Sequence, residues 1–370
     1  MKLEKITALN YKNLESISLQ FSPRINILVG ENGSGKTNIV DTIHYLSICK
    51  SLTGSTDGQT IRKGEDFFMI DAQFLNESHQ TIENIVCSYK KGGEKVIKRD
   101  GKRYDRLSDH IGVVPIILIS PYDSALINDA AEGRRKFINM LISQVDKEYL
   151  QSLIKYDSLL SQRNKLLKSQ NSDFSNDYYE IIDMQLCEEA EKIHFKRKDF
   201  IESLSPKVAE NHSIISLGKE LVSLSYRSEL NENDYAELLR QNFDRDRALG
   251  YTYSGIHRDD MIIKIDSSPI KRFGSWGQQK SLLIALKLAE FDMILSRRGR
   301  KPILLLDDIF DKLDTTRVAA LIQLVSSDKY GQIFITDSNK TRIDTILEGV
   351  DIDFSLFSVC SGEVFGNYKL

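Results

Sequence analysis

Bulk composition says little about what this chain of 370 residues binds. Cysteine is scarce: Cys49, Cys87, Cys187 and Cys360 stand far apart with no C-x-x-C pair. That spacing argues against a zinc site and a disulfide frame and fits a reducing cytoplasm. Charge of one sign is not in excess. Lysine and arginine total 50 against 53 acids, a net charge of −3, so any contact with nucleic acid must come from local patches. Long apolar runs are missing too. Residues 113–119, among the longest, are interrupted by Pro115 and are too short to span a bilayer. The opening Met1-Lys2-Leu3-Glu4-Lys5 lacks the apolar core of a secretion signal. No internal repeat is evident. The length suggests two or three domains, enough for a substantial core.

Against that background one motif stands out. Gly30, Glu31, Asn32, Gly33, Ser34, Gly35, Lys36 and Thr37 form a complete G-x-x-x-x-G-K-S/T phosphate loop. The apolar run at 25–29 before it reads as a strand, and Ile39, Val40, Ile43 and Leu46 after it recur at helical spacing. Three glycines let consecutive N–H groups wrap a polyphosphate, and the positive end of the following helix adds to the same point. This chemistry points to a polyphosphate ligand, with Lys36 reaching the β- and γ-phosphates and the Thr37 hydroxyl binding Mg²⁺.

The rest of the chain reads in three parts. Residues 1–30 and 67–104 are strand-like, and residues 96–104 read as a hairpin around an Asp100-Gly101 turn. From about 125 to 211 the helical period dominates. Ile138, Ile142, Val145, Tyr149, Leu153, Tyr156, Leu160 and Leu167 recur at steps of three and four, with one longer step at the end. A polar stretch at 169–173 separates them from Ile182, Leu186, Ala190, Ile193, Phe200 and Leu204. Two amphipathic stretches around a polar turn imply an antiparallel helical hairpin. The last third alternates helix and strand, as a mostly parallel α/β sheet requires. The expected organisation is one α/β domain made from 1–124 and 246–370, which carries the phosphate loop, with a helical lid or arm inserted at 125–245.

The run Ile303-Leu304-Leu305-Leu306 ends in Asp307 and Asp308. Acids at the C-terminal edge of a buried parallel strand lie where ligands bind. Asp307 is the natural Mg²⁺ partner, and Asp308 could polarise the attacking water. Roughly 270 residues separate Lys36 from Asp307, far more than a compact P-loop kinase uses. Ser275-Trp276-Gly277-Gln278, before a helical stretch, resembles the Ser-x-Gly-Gln signature of ABC-type ATPases. A Ser cap, a Gly and a helix N-terminus again make an anion site.

Taken together, these residues resemble the RecF family of bacterial ABC/SMC-type DNA replication and repair ATPases. The resemblance runs along the whole chain. It rests on Asn10-Tyr11-Lys12-Asn13-Leu14 near the start, on Asn32 in the phosphate loop, on Gly255-Ile256-His257-Arg258-Asp259-Asp260, and on Leu305-Leu306-Asp307-Asp308 followed by a D-loop Leu313-Asp314. Departures from the family pattern are Ile256, Trp276, Tyr122 and Asp311-Lys312.

The resemblance implies an ATP-induced head-to-head dimer in which Ser275, Gly277 and Gln278 of one copy reach the nucleotide of the other. It implies Lys36 and Asp308 as the catalytic pair, and duplex or gapped DNA as ligand. RecO and RecR are the implied partners in loading recombinase, with slow, DNA-dependent hydrolysis releasing the clamp. The best sequence candidates for DNA contact are Lys98, Arg99, Lys102 and Arg103 on the basic hairpin, with Lys90, Lys91, Lys95 and Arg106 around it. Arg134, Arg135 and Lys136, then Lys196, Arg197 and Lys198, are further candidates. His257 and Arg258 could approach the nucleotide or couple the insertion to the head, and His257 could equally be a satisfied core histidine.

Two rival readings fit less well. A transporter ATPase would carry a switch histidine near Phe334-Ile335-Thr336-Asp337 and a signature nearer the phosphate loop. A metabolic kinase would carry no signature.

Overall fold

Strand β1 (Lys2–Tyr11) turns back as β2 (Leu14–Gln20), and β3 (Ile25–Val29), buried along its whole length, leads into the helix Lys36–Ile48. Four strands follow, β4 (Phe67–Asn76), β5 (Thr81–Lys90), β6 (Lys95–Arg99) and β7 (Lys102–Arg103), and then the short β8 (Ile116–Ile119). After a long helical region come β9 (Val222–Arg227), β10 (Asp260–Ile265) and β11 (Ser268–Pro269). The helix Trp276–Arg298 precedes β12 (Ile303–Asp307), β13 (Ile333–Asp337), β14 (Phe354–Cys360) and β15 (Glu363–Tyr368). This computed structural model describes residues 1–128, 130–169, 176–310, 315–325, 327–339 and 354–368.

The chain divides into two compact units. One comprises Met1–Asp123, Ile214–Gly218 and Trp276–Leu370; the other comprises Ser124–Ser213 and Lys219–Ser275. In the first unit an antiparallel sheet runs β2-β1-β4-β5-β6-β7. A second sheet runs β15-β14-β3-β13-β12-β8, parallel throughout except for the edge strand β15. Alternation of apolar and polar residues in β1 and β4 gives a half-buried sheet, whereas β3 and β12, apolar but for Asn26 and Asp307, are buried at every residue and so covered on both faces. The helix Lys36–Ile48 packs into one core cluster with both sheets: Ile39, Ile43 and Leu46 join Ile6 and Phe68 of one and Leu305 and Phe334 of the other. The basic hairpin forms as the Asp-Gly pair demands. Lys98 pairs Arg103 and Arg99 pairs Lys102, with positive φ at Asp100 (50°) and Gly101 (77°).

The helices Lys147–Ser169 and Asn176–Ser216, which belong to the second unit up to Ser213, run antiparallel, as the contacts Lys155–Glu189 and Arg163–Asp183 require. The expected first stretch is two helices. Ala131–Val145 ends at Asp146, whose backbone leaves the helix at φ −134° and whose Oδ1 accepts the Tyr149 N–H at 2.9 Å to start the next. The boundary of the insertion also needs correction. Residues 246–275, expected with the head, group with the inserted unit. The cause is long-range pairing: β10 joins β9 in an antiparallel ladder, and Arg163 donates to Asp246 Oδ2 at 2.5 Å and to Thr252 Oγ1 at 2.9 Å. No helix among the described residues is long and apolar enough to cross a membrane.

Candidate functional site

The phosphate loop joins the C-terminal end of β3 to the helix Lys36–Ile48. Two of its glycines are required sterically. A Cβ on Gly30 would sit 2.2 Å from the Val359 carbonyl oxygen, and Gly35, at φ 118°, abuts the Asn13 side chain. Asn13 braces the loop further: its Oδ1 accepts from Asn38 Nδ2 at 2.7 Å, and its Nδ2 donates to the Ser34 carbonyl at 3.4 Å. The Gly362 N–H, in the turn between β14 and β15, donates to the same carbonyl at 2.7 Å. Thus the Asn-Tyr-Lys-Asn-Leu element acquires a physical role. Lys12 and Tyr11 meet the buried Asp41 carboxylate at 2.6 and 2.8 Å, fixing the helix behind the loop.

Lys36 folds back on the loop, donating to the carbonyls of Gly30 (2.7 Å) and Glu31 (2.9 Å). Burial lowers its pKa, against the pull of Asp308, Asp307 and Asp337. The Thr37 hydroxyl lies 3.0 and 3.1 Å from the two oxygens of Asp307, bringing together residues 270 positions apart. Burial raises the Asp307 pKa; hydrogen bonds from Thr336 and Thr37 oppose this. Asp308 follows in the left-handed region at φ 50°, which a short polar side chain tolerates.

Thr336 is the residue the sequence reading missed. In β13, directly opposite Asp307, its hydroxyl donates to Asp307 Oδ1 at 2.8 Å and accepts the Asp308 N–H at 2.9 Å. It holds the Asp307 carboxylate and the Asp308 backbone at once. The available signal was a second apolar strand ending in polar residues, Phe334-Ile335-Thr336-Asp337.

Other residues distribute unevenly. Glu31, Asn32 and Gly33 are exposed at the loop tip, while Ser34 is buried. Trp276 opens the helix Trp276–Arg298 and is 76% exposed; Ser275 precedes it, and Gly277 and Gln278 lie in its first turn. Leu313 and Asp314 lie outside the described residues.

Further along the same helix, Lys287 and Glu290 are buried although charged. Lys287 Nζ lies 3.2 Å from Asp123 Oδ1 and 3.4 Å from Glu290 Oε2, and Asp123 Oδ2 accepts the Ser120 N–H at 2.7 Å. Burial pushes the Glu290 carboxyl up to about 7.

His257 is engaged on both ring nitrogens, by Tyr156 OH (2.8 Å) and the Thr252 carbonyl (3.0 Å), and burial lowers its pKa to about 4. It is a neutral structural histidine of the inserted unit. Its neighbours are equally committed: Asp259 meets Arg197 Nη1 at 2.8 Å and the Tyr226 hydroxyl, and Asp260 meets Arg134 Nε at 2.7 Å. Arg197 is therefore buried and withdrawn from any DNA surface. Arg134 is paired, and Arg135 donates to the Asp259 carbonyl. Lys136 pairs with Glu132 and Lys196 with Asp146. On the hairpin, Arg99 pairs with Glu83 and Arg103 with Glu94, whereas the exposed Lys98 and Lys102 form no ion pair among the described residues.

Comparison with known proteins agrees with this geometry. A family model described as RecF/RecN/SMC N terminal domain matches residues 2–354. The DNA replication and repair protein RecF of Flavobacterium johnsoniae is 47% identical over 361 residues, covering 97% of this chain and 100% of the relative. RecF of Phocaeicola vulgatus is 44% identical, with 98% of each chain covered. A solved structure of the recombination mediator protein RecF with ATP, in the RecFOR pathway, superposes with a TM-score of 0.89 at 27% identity, covering 99% of this chain and 97% of that one. An Smc head domain from Pyrococcus furiosus shares the fold alone, with a TM-score of 0.59 at 18% identity.

Proposed function

The chain belongs to the RecF family of DNA replication and repair ATPases, and from that premise we propose that it is an ATP-operated clamp on DNA. The observation that carries this reading is the meeting of Thr37 with Asp307 beside Lys36. When ATP enters, Lys36 exchanges the Gly30 and Glu31 carbonyls for β- and γ-phosphate oxygens, and the loop N–H groups take the rest of the charge. Thr37 and Asp307 would hold Mg²⁺. Hard oxygen donors suit that ion, and a buried carboxylate whose pKa burial raises is favoured by a cation beside it. The ion would neutralise charge on the phosphates. Asp308 orients and polarises water for attack on the γ-phosphate. Its side chain is one methylene shorter than glutamate, so turnover is slow.

One copy supplies the phosphate loop and a second supplies Ser275, Gly277 and Gln278, with Leu313 and Asp314 at the seam. ATP therefore stabilises the dimer, and hydrolysis loosens it. Lys98 and Lys102, with Arg99 and Arg103 held beside them, track DNA phosphates without reading bases. RecO and RecR are the expected partners, by family, at junctions of single- and double-stranded DNA.

Steady-state hydrolysis with and without duplex DNA tests the reading. A slow rate stimulated by DNA and abolished in Lys36→Met is expected. A rate of tens per second, or indifference to Lys36→Met, contradicts it.

A further inference from the structure

We propose that a basic pocket at the edge of the parallel sheet remote from the phosphate loop binds a phosphate-type anion. The phosphate loop follows the C-terminal end of β3, whereas this pocket opens before the first residues of β3, β12 and β13. Five strand residues, roughly 16 Å, separate the two. The cavity is about 310 Å³ and is walled by Lys2, Arg24, Arg300 and Lys301, with Glu77 as its carboxylate.

The charge is unbalanced in favour of an anion. Glu77 is already taken by Lys2 at 2.9 Å. Arg24 donates to the Tyr330 carbonyl at 3.0 Å, which leaves its charge in place, and its Nη2 lies 3.5 Å from Asp328, an aspartate fully in solvent, where such a pair contributes little. Lys301 donates to a backbone carbonyl, that of Asp328. Arg300 is half-buried and makes no ion pair among the described residues. Nor are Arg300 and Lys301 needed to complement the end of the helix Trp276–Arg298, since Arg297 and Arg298 occupy its last turn.

The chemistry favours phosphate over other anions. The Arg300 guanidinium can offer paired donors to an oxyanion, and Arg24 and the lysines add positive charge. The lining holds no aromatic ring, so a base would find nothing to stack on. The ligand is therefore recognised through its phosphates, either as a free polyphosphate or as the backbone of a nucleic acid. The site is independent of the ATP reading above.

The test uses the full chain carrying Lys36→Met, which silences the phosphate loop, titrated with pyrophosphate in a calorimeter. One site per chain is expected, weakened about tenfold or more by adding Arg24→Gln and Arg300→Gln. Arg300→Gln alone breaks no ion pair and is expected to weaken binding while leaving the melting temperature unchanged. No binding to the Lys36→Met chain, or equal binding by the arginine variants, overturns the proposal. Duplex DNA then separates the sources. If the backbone is the ligand, the arginine variants lose duplex affinity and pyrophosphate competes. If a free anion is the ligand, duplex affinity stays while pyrophosphate binding is lost.

Discussion

Thr336 shows how much one hydroxyl can organise. It binds the carboxylate of Asp307 and the backbone of Asp308, so both acids are placed by a neighbouring strand. Thr336→Val keeps the β-branched shape and removes these bonds. The Mg²⁺ concentration needed for half-maximal hydrolysis is expected to rise about 10–100-fold, as for other supports of metal ligands. An unchanged Mg²⁺ titration would show that Thr336 is packing only. Glu290 makes a different kind of prediction. Its carboxyl titrates near 7 in the fold against 4.5 when unperturbed. The unfolded chain loses this proton first, so the group's contribution to stability falls as pH rises between those values. Glu290→Gln should flatten that decline and raise the urea midpoint at about pH 8 but not at about pH 5. A wild-type pH dependence in the variant contradicts the assignment.

At the scale of elements, the phosphate loop, its flanking strand and helix, and the basic hairpin were legible because each is specified by residues adjacent in sequence. Asp100-Gly101 alone sets the hairpin. Replacing Lys98 and Lys102 by alanine is expected to weaken duplex binding and reduce its salt slope by roughly two units, one for each phosphate contact. An unchanged slope moves the DNA surface elsewhere. The helical insertion was only partly legible. Its apolar period skips from Leu160 to Leu167, and the missing rung is Arg163, which is fully buried against Asp183 and Asp246. Periodicity counts an arginine as surface. Lys287 and Glu290, set inside the apolar run of their helix, escape for the same reason.

For the whole molecule, the sequence separated a composite head from an insertion but misplaced the second boundary. Residues 246–275 carry no compositional break. They belong with the inserted unit because β10 pairs with β9 and because Arg163 reaches Asp246 and Thr252 across more than 80 positions. Such pairings leave no local trace. The same chain supplies Lys36 from one end and the Ser-Trp-Gly-Gln turn from far along it, and the central claim is that two copies close on each nucleotide. Sedimentation velocity with MgATP tests this most directly. Wild type should shift to twice its mass and relax as ATP is consumed. Lys36→Met should show no shift, and Asp308→Asn should remain trapped as the dimer. A wild-type chain that binds a nonhydrolysable analogue yet sediments as a monomer would contradict the account.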